Sequence, residues 1–252
     1  MKIALLDSGI GGWSFLRKIE EELPQHKYLY FADQKNCPYG NKSISELEAV
    51  ADYWINVFKE KEVDVIVLAC NTMTALFKDR MQASLSIPVI GTTDGLEKGF
   101  QTSDKVVLLA TNNTVKSGWY QKLFSNIDMK SAGNSWLAKE IEDTTTLSIS
   151  SGIKLRNEVD ELCTDDWHSM ILGCTHYPLI ESELKKVWPD KVFINPADFI
   201  IPQIMRLTQG KSPNADAHNI IMYTTGEVEL LKRQAKSFFI DEAQNKITYK
   251  CL

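Results

Sequence analysis

The chain has 252 residues, 44% of them apolar and 24% charged, with 28 Lys and Arg against 33 Asp and Glu for a net charge of −5. These values exclude a disordered chain, a collagen and a coiled coil, and leave room for one large α/β domain or two of about 120 residues. A surface negative on average repels phosphate backbones and anionic lipid, so neither nucleic acid nor a membrane is expected as the main partner.

The chain opens on a short apolar run, Ile3-Ala4-Leu5-Leu6, read as a first strand that ends in Asp7-Ser8-Gly9-Ile10-Gly11-Gly12. Asp7 stops that run well short of the roughly 7–15 residues of a secretory signal. No stretch reaches the ~20 apolar residues of a spanning helix. The expected location is the cytoplasm, and the five cysteines, an odd number, are expected to be reduced thiols rather than a disulfide framework. A helical stripe follows at Leu16, Ile19 and Leu23 and stops at Pro24. Tyr28–Phe31 reads as a second strand. Ser45 and Glu48 fit a capping box ahead of a helix whose apolar face is Leu47, Val50, Ala51, Trp54, Val57 and Phe58. The continuous apolar run from Val63 to Ala69 is what a strand buried on both faces of a parallel sheet requires. Strand and helix alternating in this way predict an α/β fold of the doubly wound type.

A faint repeat underlies the pattern. Lys2–Leu6 resembles Lys105–Leu109, Val65–Cys70 resembles Ser169–Cys174, and Pro88–Gly91 has a counterpart in Lys191–Asn195. Ile3 to Cys70 spans 67 positions and Val106 to Cys174 spans 68, while Cys70–Gly91 and Cys174–Asn195 both span 21. Three matches in order at nearly equal spacing predict two similar α/β domains with parallel-rich sheets and a cleft between them. The division is expected near Thr92–Thr102. The first domain would comprise 1–95 plus 206–252, the tail returning through a strand at Ile220–Tyr223, and the second 96–205.

Ligands in open parallel sheets bind beyond the carboxyl ends of the strands. Four unusual strings fall there or in nearby loops: Asp7-Ser8-Gly9, Cys37-Pro38-Tyr39-Gly40, Ala69-Cys70-Asn71-Thr72 and Gly173-Cys174-Thr175-His176-Tyr177-Pro178. Two of them put a cysteine at a strand end, followed by small hydroxyl or amide residues expected to open a helix. A helix start offers unpaired N–H groups and a positive dipole end, which hold an anion and lower a thiol's pKa. Across one cleft, Cys70 and Cys174 would face opposite sides of a small ligand. That arrangement suits inversion of a stereocentre, one group removing a proton while the other returns one, and it requires no cofactor. No metal is expected, because no CxxC spacing occurs and His176 lies only two residues from Cys174. The glycines after Asp7 do not form a dinucleotide loop, since the third glycine of GxGxxG falls on Ser14. Cys163 and Cys251 read as packing residues and Cys37 as a residue that shapes its loop.

Together these strings resemble the cofactor-independent aspartate/glutamate racemase superfamily, and within it the glutamate racemases. The similarity runs through the four strings above, Pro88–Gly91, Thr114-Val115-Lys116-Ser117 and Leu172–Leu179, from residue 3 to about 180. It implies two α/β domains with the active site between them and Cys70 and Cys174 as the catalytic bases, one for each enantiomer. It further implies that Asp7 and His176 assist the neighbouring thiols. Substrate would be held by Asp7, Ser8, Tyr39, Gly40, Asn71, Thr72, Thr114, Thr175 and His176. The implied substrate is L- or D-glutamate, with the D-isomer going to peptidoglycan. The resemblance also carries a homodimer, the common state of relatives.

Two stretches depart from the family pattern. Gly133–Glu142 lacks the usual Cys-Pro element, although Glu142 still matches, and Asn195-Pro196 stands where many members have Ser-Gly. An aspartate-directed relative is the nearest alternative, but such relatives usually resemble Cys-Thr-Glu where this chain has Cys174-Thr175-His176. A two-lobed amino-acid-binding protein would not need paired cysteines, and a thiol hydrolase built on Cys70 would leave Cys174 without a role.

Overall fold

The computed structural model describes residues 1–101, 104–163, 166–210, 219–238 and 246–252. Among these residues, ten strands form two sheets. The first runs in the order β10-β9-β2-β1-β3-β4, from β1 (Lys2–Asp7), β2 (Lys27–Ala32), β3 (Val65–Leu68), β4 (Val89–Gly91), β9 (Asn219–Thr224) and β10 (Lys246–Cys251). The second runs β6-β5-β7-β8, from β5 (Lys105–Thr111), β6 (Asp128–Asn134), β7 (Ser169–Gly173) and β8 (Val192–Ile194). Every strand pair among the described residues is parallel. The order β2-β1-β3-β4 in the first sheet is repeated as β6-β5-β7-β8 in the second, so the three sequence matches fall on corresponding strands.

The central strands are buried on both faces, which explains their unbroken apolar runs. Ile3 and Leu5 of β1 face α1 (Trp13–Glu22) and α9 (Ala197–Thr208), while Ala4 and Leu6 face α2 (Ile44–Glu60) and α3 (Asn71–Ser84). Each such fully buried Leu or Ile contributes roughly 1.5–3 kcal/mol. The second sheet repeats the arrangement. Val107 and Leu109 pack on α6 (Leu137–Thr144) and α7 (Ile149–Leu162); Val106, Leu108 and Ala110 pack on Tyr120 and Phe124. Helix α9 adds Ala197, Ile200 and Ile204 to the core of the first sheet, ahead of the return expected at about Arg206. Thr102, the far end of the expected division, lies outside the described residues.

Three local expectations need correction. The capping box of α2 uses Ser43 and Glu46 rather than Ser45 and Glu48: Ser43 Oγ accepts the Glu46 N–H at 3.3 Å and Glu46 Oε2 accepts the Ser43 N–H at 2.8 Å. Both pairs have the required spacing, but Ser43 is the one with the extended backbone of an N-cap, and Ser45 already lies inside the first turn. Second, no α-helix opens at Thr175. The chain turns through Tyr177–Ile180 in a tight 3₁₀ turn, and α8 (Glu181–Val187) starts only after it. Third, Cys251 is exposed on the edge strand β10 instead of buried, whereas Cys163 is buried as expected.

Candidate active site

The carboxyl ends of both sheets meet at one cleft. Asp7 ends β1, Cys70 follows β3 as the N-cap of α3, Thr111 ends β5 and Cys174 follows β7. Both thiols border one small, nearly closed cavity, together with Ser8, Tyr39, Gly40, Asn71, Thr72, Thr175 and His176. Pro38, Thr111 and Ala138 complete its wall. Asp7 and Thr114, both fully buried, stand one layer behind it.

The loop after β1 can press this close because it carries glycines. A Cβ at Gly9 would fall on the Glu142 carboxylate, and one at Gly11 would lie 2.6 Å from Thr175 Oγ1 and from His176 Nδ1. The string that failed as a dinucleotide loop thus serves contact between the two layers. Two hydrogen bonds seal that contact. Thr175 Oγ1 donates to Asp7 Oδ2 at 3.0 Å, and the Ile10 N–H donates to Glu142 Oε2 at 3.0 Å.

On the Cys174 side, His176 Nδ1 stands 3.7 Å from Cys174 Sγ while its Nε2 meets Glu142 Oε2 at 2.7 Å. Burial alone would lower the imidazole's pKa, but hydrogen bonding to Cys174, Cys37 and Glu142 outweighs it and holds His176 well above its ordinary 6.5. Glu142 moves the other way. Burial would raise its carboxyl, yet the bonds from His176 and the Ile10 N–H bring it below its ordinary 4.5. The pair is therefore a buried ion pair, with the other ring nitrogen of His176 facing the Cys174 sulfur.

Beside Cys70 the described residues place no imidazole in hydrogen-bonding contact. Burial pushes the Cys70 thiol well above its ordinary 9.0, and the Asp7 carboxylate adds to that, against the pull of the Met73 N–H in the first turn of α3. Asp7 is itself raised above 3.8 by burial, opposed by His176, the Gly9 N–H and Thr175. At neutral pH Cys70 is a protonated thiol, able to deliver a proton.

Neutral donors supply the rest of the cavity, which no Lys or Arg lines. Asn71 is fixed by its oxygen: Oδ1 accepts from Thr92 Oγ1 at 2.9 Å and from the Tyr120 hydroxyl at 2.5 Å. Its buried Nδ2 has no partner among the described residues, and Asn71 borders the cavity. That amide is the clearest donor offered to a ligand. Thr72, Thr111 and Thr114 form a ring of hydroxyls, with 2.9 Å between Thr72 and Thr111 and 2.9 Å between Thr111 and Thr114. Tyr39 lines the cavity, but its hydroxyl donates to Asp33 Oδ2 at 2.8 Å.

Three residues of the site went unassigned in the sequence. Thr111 caps the short helix Asn112–Lys116 and could have been found from the Thr111-x-x-Thr114 spacing. Asp33 comes directly after β2 much as Asp7 closes β1, and that repeated strand–Asp pattern was a usable signal. It accepts from Asn36, Tyr39, Trp54 and Thr225, fixing the loop that carries Tyr39 and Gly40. Cys37 does more than shape its loop, for its sulfur lies beside His176 and Glu142. The divergent stretches are internally satisfied. Asn134 Oδ1 accepts the Trp136 and Leu137 N–H groups, and Asn195 Oδ1 accepts the Ala197 N–H at the start of α9.

Comparison with known proteins gives a consistent picture. The family model described as Asp/Glu/Hydantoin racemase matches residues 10–203. A glutamate racemase of Carboxydothermus hydrogenoformans is 29% identical over 235 residues, 91% of this chain and 89% of that protein. The crystal structure of glutamate racemase isoform RacE1 from Bacillus anthracis superposes with a TM-score of 0.82 at 27% identity, covering 99% of this chain and 96% of that one. Glutamate racemase from Francisella tularensis subsp. tularensis, solved in complex with D-glutamate, gives a TM-score of 0.81 at 26% identity, covering 98% of this chain and 96% of that one.

Proposed function

This chain belongs to the Asp/Glu/Hydantoin racemase family, and on that premise we propose that it interconverts L- and D-glutamate by proton transfer at the α-carbon between two cysteines. The observation that carries the reading is the placement of Cys70 and Cys174, from corresponding strand ends, on one small cavity.

The chemistry follows from the two surroundings. With Cys174 as thiolate beside the His176 imidazolium and Cys70 as thiol, Cys174 takes the α-proton and Cys70 returns its own from the other side. The reverse assignment runs the other direction. Negative charge developing on the α-carboxylate is met by preorganised neutral donors, with the unpaired Asn71 amide foremost and the Thr72, Thr175 and Ser8 hydroxyls around it. The reading brings with it a cytoplasmic setting, a homodimer and supply of the D-isomer to peptidoglycan.

The test is incubation of the reduced protein with L-glutamate in deuterated water, without added cofactor, following optical rotation and the α-proton signal. Rotation is expected to decay as deuterium enters the α-position. Cys70→Ser and Cys174→Ser are each expected to slow racemisation by about 10²–10⁴-fold, the range for a positioned acid or base. Absence of exchange with glutamate overturns the reading; exchange with aspartate instead transfers it to the aspartate-directed relatives.

A further inference from the structure

Cys37 belongs to no step of the proposed reaction, yet it is not an isolated thiol. Its Sγ, a carboxylate oxygen of Glu142 and an imidazole nitrogen of His176 all lie within 4.8 Å of one another. Glu142 and His176 are buried and Cys37 is half-buried. Its loop is ordered by the Cys37 N–H bonding to the Gln34 carbonyl, and Glu142 is steadied by the Ile10 N–H and by Gln234, whose Nε2 donates to the Glu142 carbonyl. Three donors of different type thus converge from two layers of the fold.

The donor set selects the chemistry. One sulfur, one imidazole nitrogen and one carboxylate oxygen are all donors that zinc accepts, whereas magnesium and calcium require mainly oxygen. Zinc bonds of about 2.0–2.3 Å in tetrahedral geometry put ligand atoms about 3.3–3.5 Å apart. Binding therefore requires the 2.7 Å His176–Glu142 contact to widen within a cluster whose donor atoms already lie within 4.8 Å of one another.

We propose that Cys37, Glu142 and His176 form a binding site for a thiophilic divalent cation of the zinc class, and that its occupation withdraws His176 from proton exchange with Cys174. On binding, the Cys37 thiol and the His176 imidazolium each lose one proton to solvent, and the Cys37 sulfur supplies the electron pair of the metal–sulfur bond. An imidazole nitrogen of His176 and a carboxylate oxygen of Glu142 supply the electron pairs of two further metal–ligand bonds, the Glu142–His176 hydrogen bond is broken, and no electron is transferred. The cation acts as an inhibitor that a chelator removes. The inhibition rests on the proposed racemase reading; the binding does not.

Cobalt(II) alone is the probe. Titrating the reduced full-length protein at neutral pH is expected to give a thiolate-to-cobalt charge-transfer band with tetrahedral visible absorption, saturating at one equivalent and abolished by zinc(II). Cys37→Ser is expected to lose the charge-transfer band, with its fold checked by circular dichroism. Cys70→Ser and Cys174→Ser are expected to keep it. Glu142→Gln retains the thiol and is expected to show the same band at about 10-fold or more higher cobalt. In the activity arm, zinc(II) is expected to suppress racemisation and EDTA to restore it, with half-inhibition in Cys37→Ser shifted upward by about 10-fold or more. No thiolate band, or a band that survives Cys37→Ser and disappears with Cys70 or Cys174, overturns the site. A wild type that shows the band but no racemisation sinks the proposed function and leaves the metal site standing.

Discussion

His176 Nε2 lies 2.7 Å from Glu142 Oε2, and the same ring stands 3.7 Å from Cys174 Sγ through its other nitrogen. The imidazole thereby joins a carboxylate held by the loop after β1 to a thiol held by β7. The Thr175–Asp7 hydrogen bond joins the same loop to the end of β7 independently of the imidazole.

Replacing Glu142 with Gln removes one of the charges that hold the imidazolium. His176 then titrates closer to its ordinary 6.5. The pH–rate limb that reports loss of the imidazolium is expected to move to lower pH, with kcat reduced by about 10²-fold. Rate profiles of the two proteins, measured in both directions, check this.

The same pair governs stability against pH. Glu142 titrates lower in the folded protein than its ordinary 4.5, so its contribution is present above that pH and is lost as pH falls through the folded value. His176 titrates higher than 6.5 when folded, so its contribution is complete below 6.5 and is lost as pH rises through the folded value. The ion pair stabilises the fold in the window between. Thermal unfolding of Glu142→Gln is expected to lose part of the acid-side slope that the wild type shows below about pH 4.5. Identical slopes in the two proteins contradict the ion pair.

Asn71→Ala removes the unpaired amide while leaving both thiols in place. A loss of about 10²-fold in kcat is expected if that amide meets charge developing in the transition state. A change confined to KM would instead assign Asn71 to ground-state binding. Steady-state kinetics separate the two.

Gly9→Ala drives a methyl group into the Glu142 carboxylate. Overpacking of this kind costs about 1–3 kcal/mol. It should appear as a lower urea midpoint together with reduced activity, since Glu142 must leave either Ile10 or His176. A variant as stable as the wild type would show that the loop yields freely.

Much of this was legible in the sequence because it depended on short-range rules. Apolar runs marked β1, β3, β5 and β7, since a strand covered on both faces admits few polar residues. The nearly equal spacings of the repeat anticipated the shared strand order. The thiols and their neighbours stood out because they lie at strand ends. What stayed hidden depended on tertiary approach. Cys37 is far in sequence from Glu142 and His176, and only folding places them together. The Tyr39 hydroxyl turns to Asp33 because a buried carboxylate must be satisfied, a demand invisible until Trp54 and Thr225 also converge there. The rival capping boxes at Ser43 and Ser45 share one motif, and only backbone geometry separates them.

The repeated strand order β2-β1-β3-β4 and β6-β5-β7-β8 presents the two thiols from corresponding ends, yet one caps a helix beside Asp7 and the other faces an imidazolium. Enantiomers have equal free energies in water, so the equilibrium constant of the proposed reaction is unity and kcat/KM must be the same in both directions. Unequal surroundings cannot bias the product. They can only exchange turnover for affinity: whichever enantiomer has the lower KM must also have the proportionally lower kcat.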